Sequence, residues 1–195
     1  KEGDPKLPLE WQWNHNPDSS LWSLTERPGY LRLRTGFLYN TVLLARNTLT
    51  QRTEGPACLC STVMDTANMK PGDSAGMVAM QSSFGTIGIK IAEGGGKYVA
   101  MCVNDGSGGE REVQRLPYGG AVIHLRITFD FRDSIDIARF YYSENGDSWI
   151  LFGVPLEMKY TLDHFMGYRI GLFNYAAIKA GGYADFDYFH YERLL

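Results

Sequence analysis

Along most of the chain, apolar and polar residues alternate one by one, which is the period of a half-buried β-strand and not the three-to-four spacing of an amphipathic helix. The run Val122-Ile123-His124-Leu125-Arg126-Ile127-Thr128-Phe129-Asp130-Phe131 is the clearest case. Successive strand side chains point to opposite faces. Ile123, Leu125, Ile127, Phe129 and Phe131 are therefore predicted to face a core, with His124, Arg126, Thr128 and Asp130 on the other side. Tyr30-Leu31-Arg32-Leu33-Arg34 repeats the pattern. Further strands are predicted at 11–14, 41–46, 58–64, 75–81, 86–91, 98–103, 111–116, 137–143, 149–152, 167–173 and 183–191, and no run carries a convincing helical spacing.

The breaks between these runs carry turn chemistry, because Gly and Asn tolerate the positive φ of tight hairpins. Glu144-Asn145-Gly146-Asp147, Gly94-Gly95-Gly96, Asn104 to Gly109, and Met69-Lys70-Pro71-Gly72-Asp73 are the predicted connections. About a dozen short strands joined this way predict an all-β fold of two packed antiparallel sheets, a jelly roll or concanavalin A-like sandwich. A chain of 195 residues fits one such domain, and no internal repeat divides it. The polar residues 1–6 are read as a linker or boundary, and 7–195 as a single module.

Composition then removes function classes. Hydrophobic residues at 44% and charged residues at 21% describe a chain that folds. A net charge of -3 offers no basic field for phosphates, so neither nucleic acid nor an anionic membrane surface is an expected partner. Apolar stretches such as 41–45 fall far short of the roughly 20 residues needed to cross a bilayer. Cys58, Cys60 and Cys102 cannot all pair with one another, and a domain large enough for its own core needs no disulfide framework; free thiols are expected. The single-residue spacer of Cys58-Leu59-Cys60 does not match a zinc site.

Little catalytic chemistry is legible. Asp185-Phe186-Asp187 brings two carboxylates to one face of the last strand by its period of two. Like charges so close call for a cation or N–H donors, and hard oxygen ligands favour calcium, so Asp185 and Asp187 are read as either a structural calcium site or a solvated, hydrogen-bonded face, both ahead of a hydrolytic pair. His15, His124, His164 and His190 share no metal-like spacing, and Ser82-Ser83-Phe84-Gly85 lacks the Gly-x-Ser-x-Gly elbow. Aromatic residues make up 13% and serve mainly as core, although flat rings also stack on sugars. Gln12 and Asn14, which point away from Trp11 and Trp13 on the same strand, form with Arg46 and Gln51 the polar positions expected on a ligand or inter-domain surface.

Long, particular segments add a family. Leu7-Pro8-Leu9-Glu10-Trp11-Gln12-Trp13-Asn14-His15-Asn16-Pro17-Asp18, Trp22 to Leu33, Ala45 to Arg52, Phe140 to Trp149 and Gly181 to Phe189 resemble the C-terminal sandwich of family 43 glycoside hydrolases, the β-xylosidases and α-L-arabinofuranosidases. The resemblance implies a concanavalin-like sandwich that docks on an upstream catalytic propeller, which carries the acid, base and supporting aspartate. It implies that this chain alone is not an enzyme, and that its partners are that propeller and xylan or xylo-oligosaccharide. It also implies an aromatic from the sandwich closing part of the active-site pocket, and Phe165 in His164-Phe165-Met166-Gly167 stands in that place. The alternatives are a free-standing lectin-like carbohydrate-binding module and a concanavalin-type hydrolase. Against the second, the Glu-x-Asp-x-x-Glu run of such hydrolases does not occur.

Overall fold

The computed structural model describes residues 6–104, 106, 109–161 and 166–195. Its strands in chain order are β1 (Gln12–Trp13), β2 (Trp22–Ser23), β3 (Leu31–Arg34), β4 (Leu49–Arg52), β5 (Ala57–Asp65), β6 (Asp73–Met80), β7 (Phe84–Ile91), β8 (Lys97–Asn104), β9 (Arg111–Pro117), β10 (Val122–Asp130), β11 (Ile137–Ser143), β12 (Ile150–Leu151), β13 (Leu156–Glu157), β14 (Arg169–Ala176) and β15 (Tyr183–Leu194). They form two antiparallel sheets. One is ordered β1-β4-β14-β6-β7-β8-β9, and the other β12-β11-β10-β5-β15-β3-β2 with β13 also paired to β11. This is the expected two-sheet concanavalin A-like sandwich. No helix among the described residues is long and apolar enough to cross a membrane.

The alternating run becomes β10, with Ile123, Leu125, Ile127 and Phe129 buried and the intervening residues half-buried. Its partner β5 brings Cys58 opposite Phe129 and Cys60 opposite Ile127. All three cysteines are buried free thiols, as expected. Met77, Ile87, Ile89, Met101, Ile170 and Leu172 close the same core from the facing sheet. The Glu144–Asp147 turn also forms as read: Ser143 Oγ accepts from the amides of Asn145 and Gly146 at 3.3 and 3.0 Å, and Gly146 takes a φ of 83°.

β6 and β14 do not alternate, because every residue of both is buried. A strand covered on both faces reads as a nearly continuous apolar run. The cover on the outer face is the 37–47 segment, whose Val42 and Ala45 pack on Val78, Met80, Phe84, Phe173 and Tyr175. The strand expected at 41–46 is therefore not formed. Leu44 N–H donates to Thr41 O and Ala45 N–H to Val42 O, which folds these residues into successive turns. Turns place Val42 and Ala45 on one side, where an extended strand would have pointed them to opposite faces.

Candidate functional site

One end of the sandwich is organised around a single amide. Arg169 at the start of β14 pairs in register with Met80 at the end of β6, so the residues before β14 lie against the Gln81-Ser82-Ser83 turn. Gln81 is buried. Its Nε2 donates to Met166 O at 2.8 Å, while its Oε1 accepts from Thr161 N–H at 3.1 Å. Both flanks of residues 162–165 are thus fixed to the same side chain. Ser82 and Thr161 hydroxyls lie 3.3 Å apart, the Ser83 and Tyr168 hydroxyls bond to each other, and Thr53 Oγ1 donates to Tyr168 O at 2.7 Å. Tyr160 meets Tyr168 edge-on with centroids 5.8 Å apart. Burial, then nearby Asp136 and Tyr168, push the Tyr160 phenol up to about 12. Phe165, expected to line the pocket, lies outside the described residues. Gln81 carried no signal in the sequence, since a lone glutamine closing the strand predicted at 75–81 has no local feature that sets it apart; only the β6–β14 register reveals it.

Beside Met166 a cleft of about 570 Å³ opens, lined by Gln12, Asn14, His15, Gln81 and Arg169. Arg169 is buried, and burial pushes its guanidinium pKa down. It donates to Asn14 Oδ1 at 2.6 Å and to Thr50 Oγ1 at 3.3 Å, both neutral acceptors. A guanidinium carries five donors in a rigid fork, so it has capacity left for a group entering the cleft. Asn14 Nδ2 and His15 Nε2 both donate to Leu43 O, at 3.4 and 2.6 Å, tying the 37–47 segment to this end.

The other expected polar positions divide. Exposed Gln12 is shared with a second cleft of about 930 Å³, which Gln51 also lines at the β1–β4 edge. Arg46 is set apart: it is exposed, with its guanidinium 5.0 Å from the Phe37 ring centre. The tryptophans are largely packing. Trp11 meets Phe189 edge-on at 4.7 Å, and Trp13 leans on Trp22 at 5.2 Å.

In the Asp185/Asp187 pair, one carboxylate is engaged by arginines and the other is exposed. Asp185 is buried at 2% exposure and accepts from Arg32 Nε at 2.7 Å, Arg32 Nη2 at 2.8 Å and Arg27 Nη1 at 3.1 Å. Burial pushes its carboxyl up, but the hydrogen bonds from Arg32 and Arg27 outweigh this and hold it below the usual carboxylate range. Arg27 also donates to Asp65 Oδ2 at 2.7 Å. The β15–β5 register shifts between Phe186 and Phe189, interrupting the period of two on which the pairing rested, and Asp187 is exposed. Two guanidiniums thus face Asp185 from Arg27 and Arg32. A cation bound only by the folded state would raise stability by mass action. The melting temperature is therefore expected to be the same in calcium and in chelator; a rise with calcium would show a site that this geometry does not provide.

With this geometry in place, the relatives can be compared. The sequence matches the family described as the beta xylosidase C-terminal concanavalin A-like domain over residues 3–192. It is 29% identical to a beta-xylosidase of Formosa agariphila, across 96% of this chain and 34% of that protein. The fold superposes on a bifunctional GH43-CE protein of Bacteroides eggerthii with a TM-score of 0.95 and 47% identity, covering 100% of this chain and 25% of the other. It also superposes, with a TM-score of 0.89 and 28% identity, on a GH43 glycoside hydrolase engineered to show both endo-xylanase and exo-arabinofuranosidase activity, covering 97% of this chain and 39% of that one. The chain thus spans about a third of the length of the curated relatives it matches, 34% in the first case. By a match that runs through both sheets and the Gln81 end, the chain belongs to the beta-xylosidase C-terminal concanavalin A-like domain family.

Proposed function

We propose that this chain is a non-catalytic accessory domain of a xylan-degrading family 43 glycoside hydrolase, packing on an upstream catalytic propeller and completing its active-site pocket. The observation that carries this reading is the Gln81 amide, which fixes Thr161 and Met166 on either side of the segment holding Phe165. A side chain that completes another domain's pocket has to be held by rigid elements and their supporting hydrogen bonds. The adjoining cleft adds polar groups suited to a hydroxylated substrate or a facing domain, namely Gln12, Asn14 and the spare donors of Arg169. The names of the relatives and the fraction of their length that is matched support a hydrolase parent. Several carboxylates are engaged elsewhere as arginine partners: Asp65 and Asp185 with Arg27, Glu26 with Arg32, and Asp130 with Arg132.

The test uses the parent enzyme carrying Phe165→Ala or Gln81→Ala, assayed on p-nitrophenyl β-D-xyloside. Each variant is expected to lose about 10- to 100-fold in kcat/KM, because small misplacements around a reacting centre have effects of this size. The isolated 195-residue chain is expected to show no turnover. Full activity in both variants, or hydrolysis by the isolated chain, would overturn the reading.

A further inference from the structure

The cleft beside Met166 holds a cation that the domain itself does not neutralise. Arg169 is 9% exposed, and its two hydrogen bonds go to neutral acceptors, Asn14 Oδ1 and Thr50 Oγ1. Among the described residues that line the cleft, none is Asp or Glu. Burial pushes the guanidinium pKa down, and no acidic neighbour opposes that shift. Buried charges are as a rule paired, because the hydration they give up is costly.

A second arginine adds to the excess. Arg52 in β4 stands in register with Arg169 in β14. Directly paired strand residues share a face with Cβ atoms about 5 Å apart, and like charges so placed repel. Arg52 is exposed, and its Nη2 lies 3.6 Å from Met166 Sδ at the edge of the cleft. Neither arginine joins an ion pair among the described residues, whose arginine pairs are those of Arg27, Arg32, Arg34, Arg115 and Arg132. Glu10 and Glu54 line the second cleft together with Arg52 but do not pair with it.

The group that fits is a carboxylate. A guanidinium has five N–H donors, so Arg169 keeps three beyond its bonds to Asn14 and Thr50, and a planar carboxylate matches it in both charge and shape. A cation would meet Arg169 and Arg52 together, and a neutral group would leave the buried charge unpaired. Position decides the source. Gln81 and Met166 line this cleft and also make the hydrogen bond that fixes one flank of the Phe165 segment, so a domain packed against that segment also covers the cleft. A carboxylate on that domain arrives at the high effective concentration of a tethered group, an advantage that a free anion lacks.

We infer that an Asp or Glu side chain of the upstream catalytic domain seats in this cleft and pairs with Arg169, with Arg52 at its rim. The inference rests on the docking proposed above and names the contact that fixes it. Arg169→Gln is expected to lower the melting temperature of the parent enzyme by more than that of the isolated 195-residue chain. The lost bonds to Asn14 and Thr50 are common to both, whereas the carboxylate is present only in the parent. Neither measurement contains substrate, so a substrate group cannot be the partner. On p-nitrophenyl β-D-xyloside, Arg169→Gln should lower kcat/KM of the parent about tenfold. One carboxylate-to-amide substitution on the facing domain should do the same, with the double variant no worse than either single one. Arg169→Lys, which keeps the charge but not the planar fork, should show this coupling at smaller size, and it serves if Arg169→Gln folds poorly. Equal melting shifts in the two contexts, or losses that multiply with every facing carboxylate, would overturn the inference. Reduced activity of Phe165→Ala and Gln81→Ala alongside such a result would remove the carboxylate and leave the docking in place.

Discussion

Arg32→Ala is expected to destabilise the folded domain by about 3–5 kcal/mol, the size of effect seen when one partner of a buried ion pair is removed. Asp185 is only 2% exposed, and Arg32 holds it with two of its three hydrogen bonds. The remaining contact, from Arg27 at 3.1 Å, comes from a guanidinium shared with Asp65. Arg32 also lies 4.0 Å from the Tyr183 ring centre, so truncation removes a stacked surface as well as a charge. For a domain of this size the loss corresponds to a fall on the order of 10 °C in melting temperature. Arg34→Ala is the internal control. It pairs with Glu26, which is 43% exposed, and such surface pairs contribute about 0–1 kcal/mol.

The pH dependence follows from the direction of the Asp185 shift. Its folded pKa lies below the ordinary carboxylate value, so the folded state favours the ionised form. The stability this supplies is fully present above about pH 4, the unfolded carboxylate value. It is lost as pH falls below that through the folded pKa. The gap in stability between parent and Arg32→Ala should therefore be constant near neutrality and narrow under acid. Urea unfolding at several pH values measures this. A gap that does not narrow below pH 4, or an Arg34→Ala loss as large as that of Arg32→Ala, would show that the Asp185 pair is not the source.

Two of the segments that carried the family resemblance, 22–33 and 181–189, are joined by this ion network. Arg32 and Asp185 are 153 residues apart in sequence and directly paired in β3 and β15. That pairing was not legible beforehand. The sequence shows Asp185 two residues from Asp187, and local proximity suggested a shared cation. The fold supplies guanidiniums from far away and shifts the β15–β5 register between Phe186 and Phe189. The sandwich itself was readable because alternation in β10 and β11 and the Asn145-Gly146 turn are local signals. The 41–46 error has the opposite origin. Its short apolar run is compatible with a strand or with packed turns, and the choice depends on β6 and β14, whose outer faces need a cover. Gln81 was invisible for a related reason: its two partners are 80 and 85 residues away.

The seven-stranded sheet also depends on a pair of facing glycines that nothing local singles out, and substituting them should have the second large effect. Gly76 and Gly88 oppose each other across β6 and β7. A Cβ on Gly76 would sit 2.1 Å from Ile87 O and 2.6 Å from Gly88 Cα; one on Gly88 would sit 2.0 Å from Ala75 O. These neighbours are backbone atoms in a hydrogen-bonded ladder, so they cannot rotate aside as a side chain would. Relief requires the strands to separate, which lengthens ladder bonds and loosens the packing of Met77, Ile87 and Ile89 beneath them. Gly76→Ala and Gly88→Ala are each expected to destabilise by on the order of 3 kcal/mol, among the larger effects of single substitutions. Gly94→Ala should stay within about 0.5 kcal/mol, since nothing lies within 4 Å of a Cβ there. Lys90 follows Gly88 by two residues on the same strand, so any adjustment that relieves Gly88→Ala should also shift the Lys90 ammonium away from Cys102 Sγ. Urea denaturation with an unchanged m-value would isolate the stability change. Alanine variants within 1 kcal/mol of the parent, measured this way, would mean that β6 and β7 lie farther apart than their close register indicates.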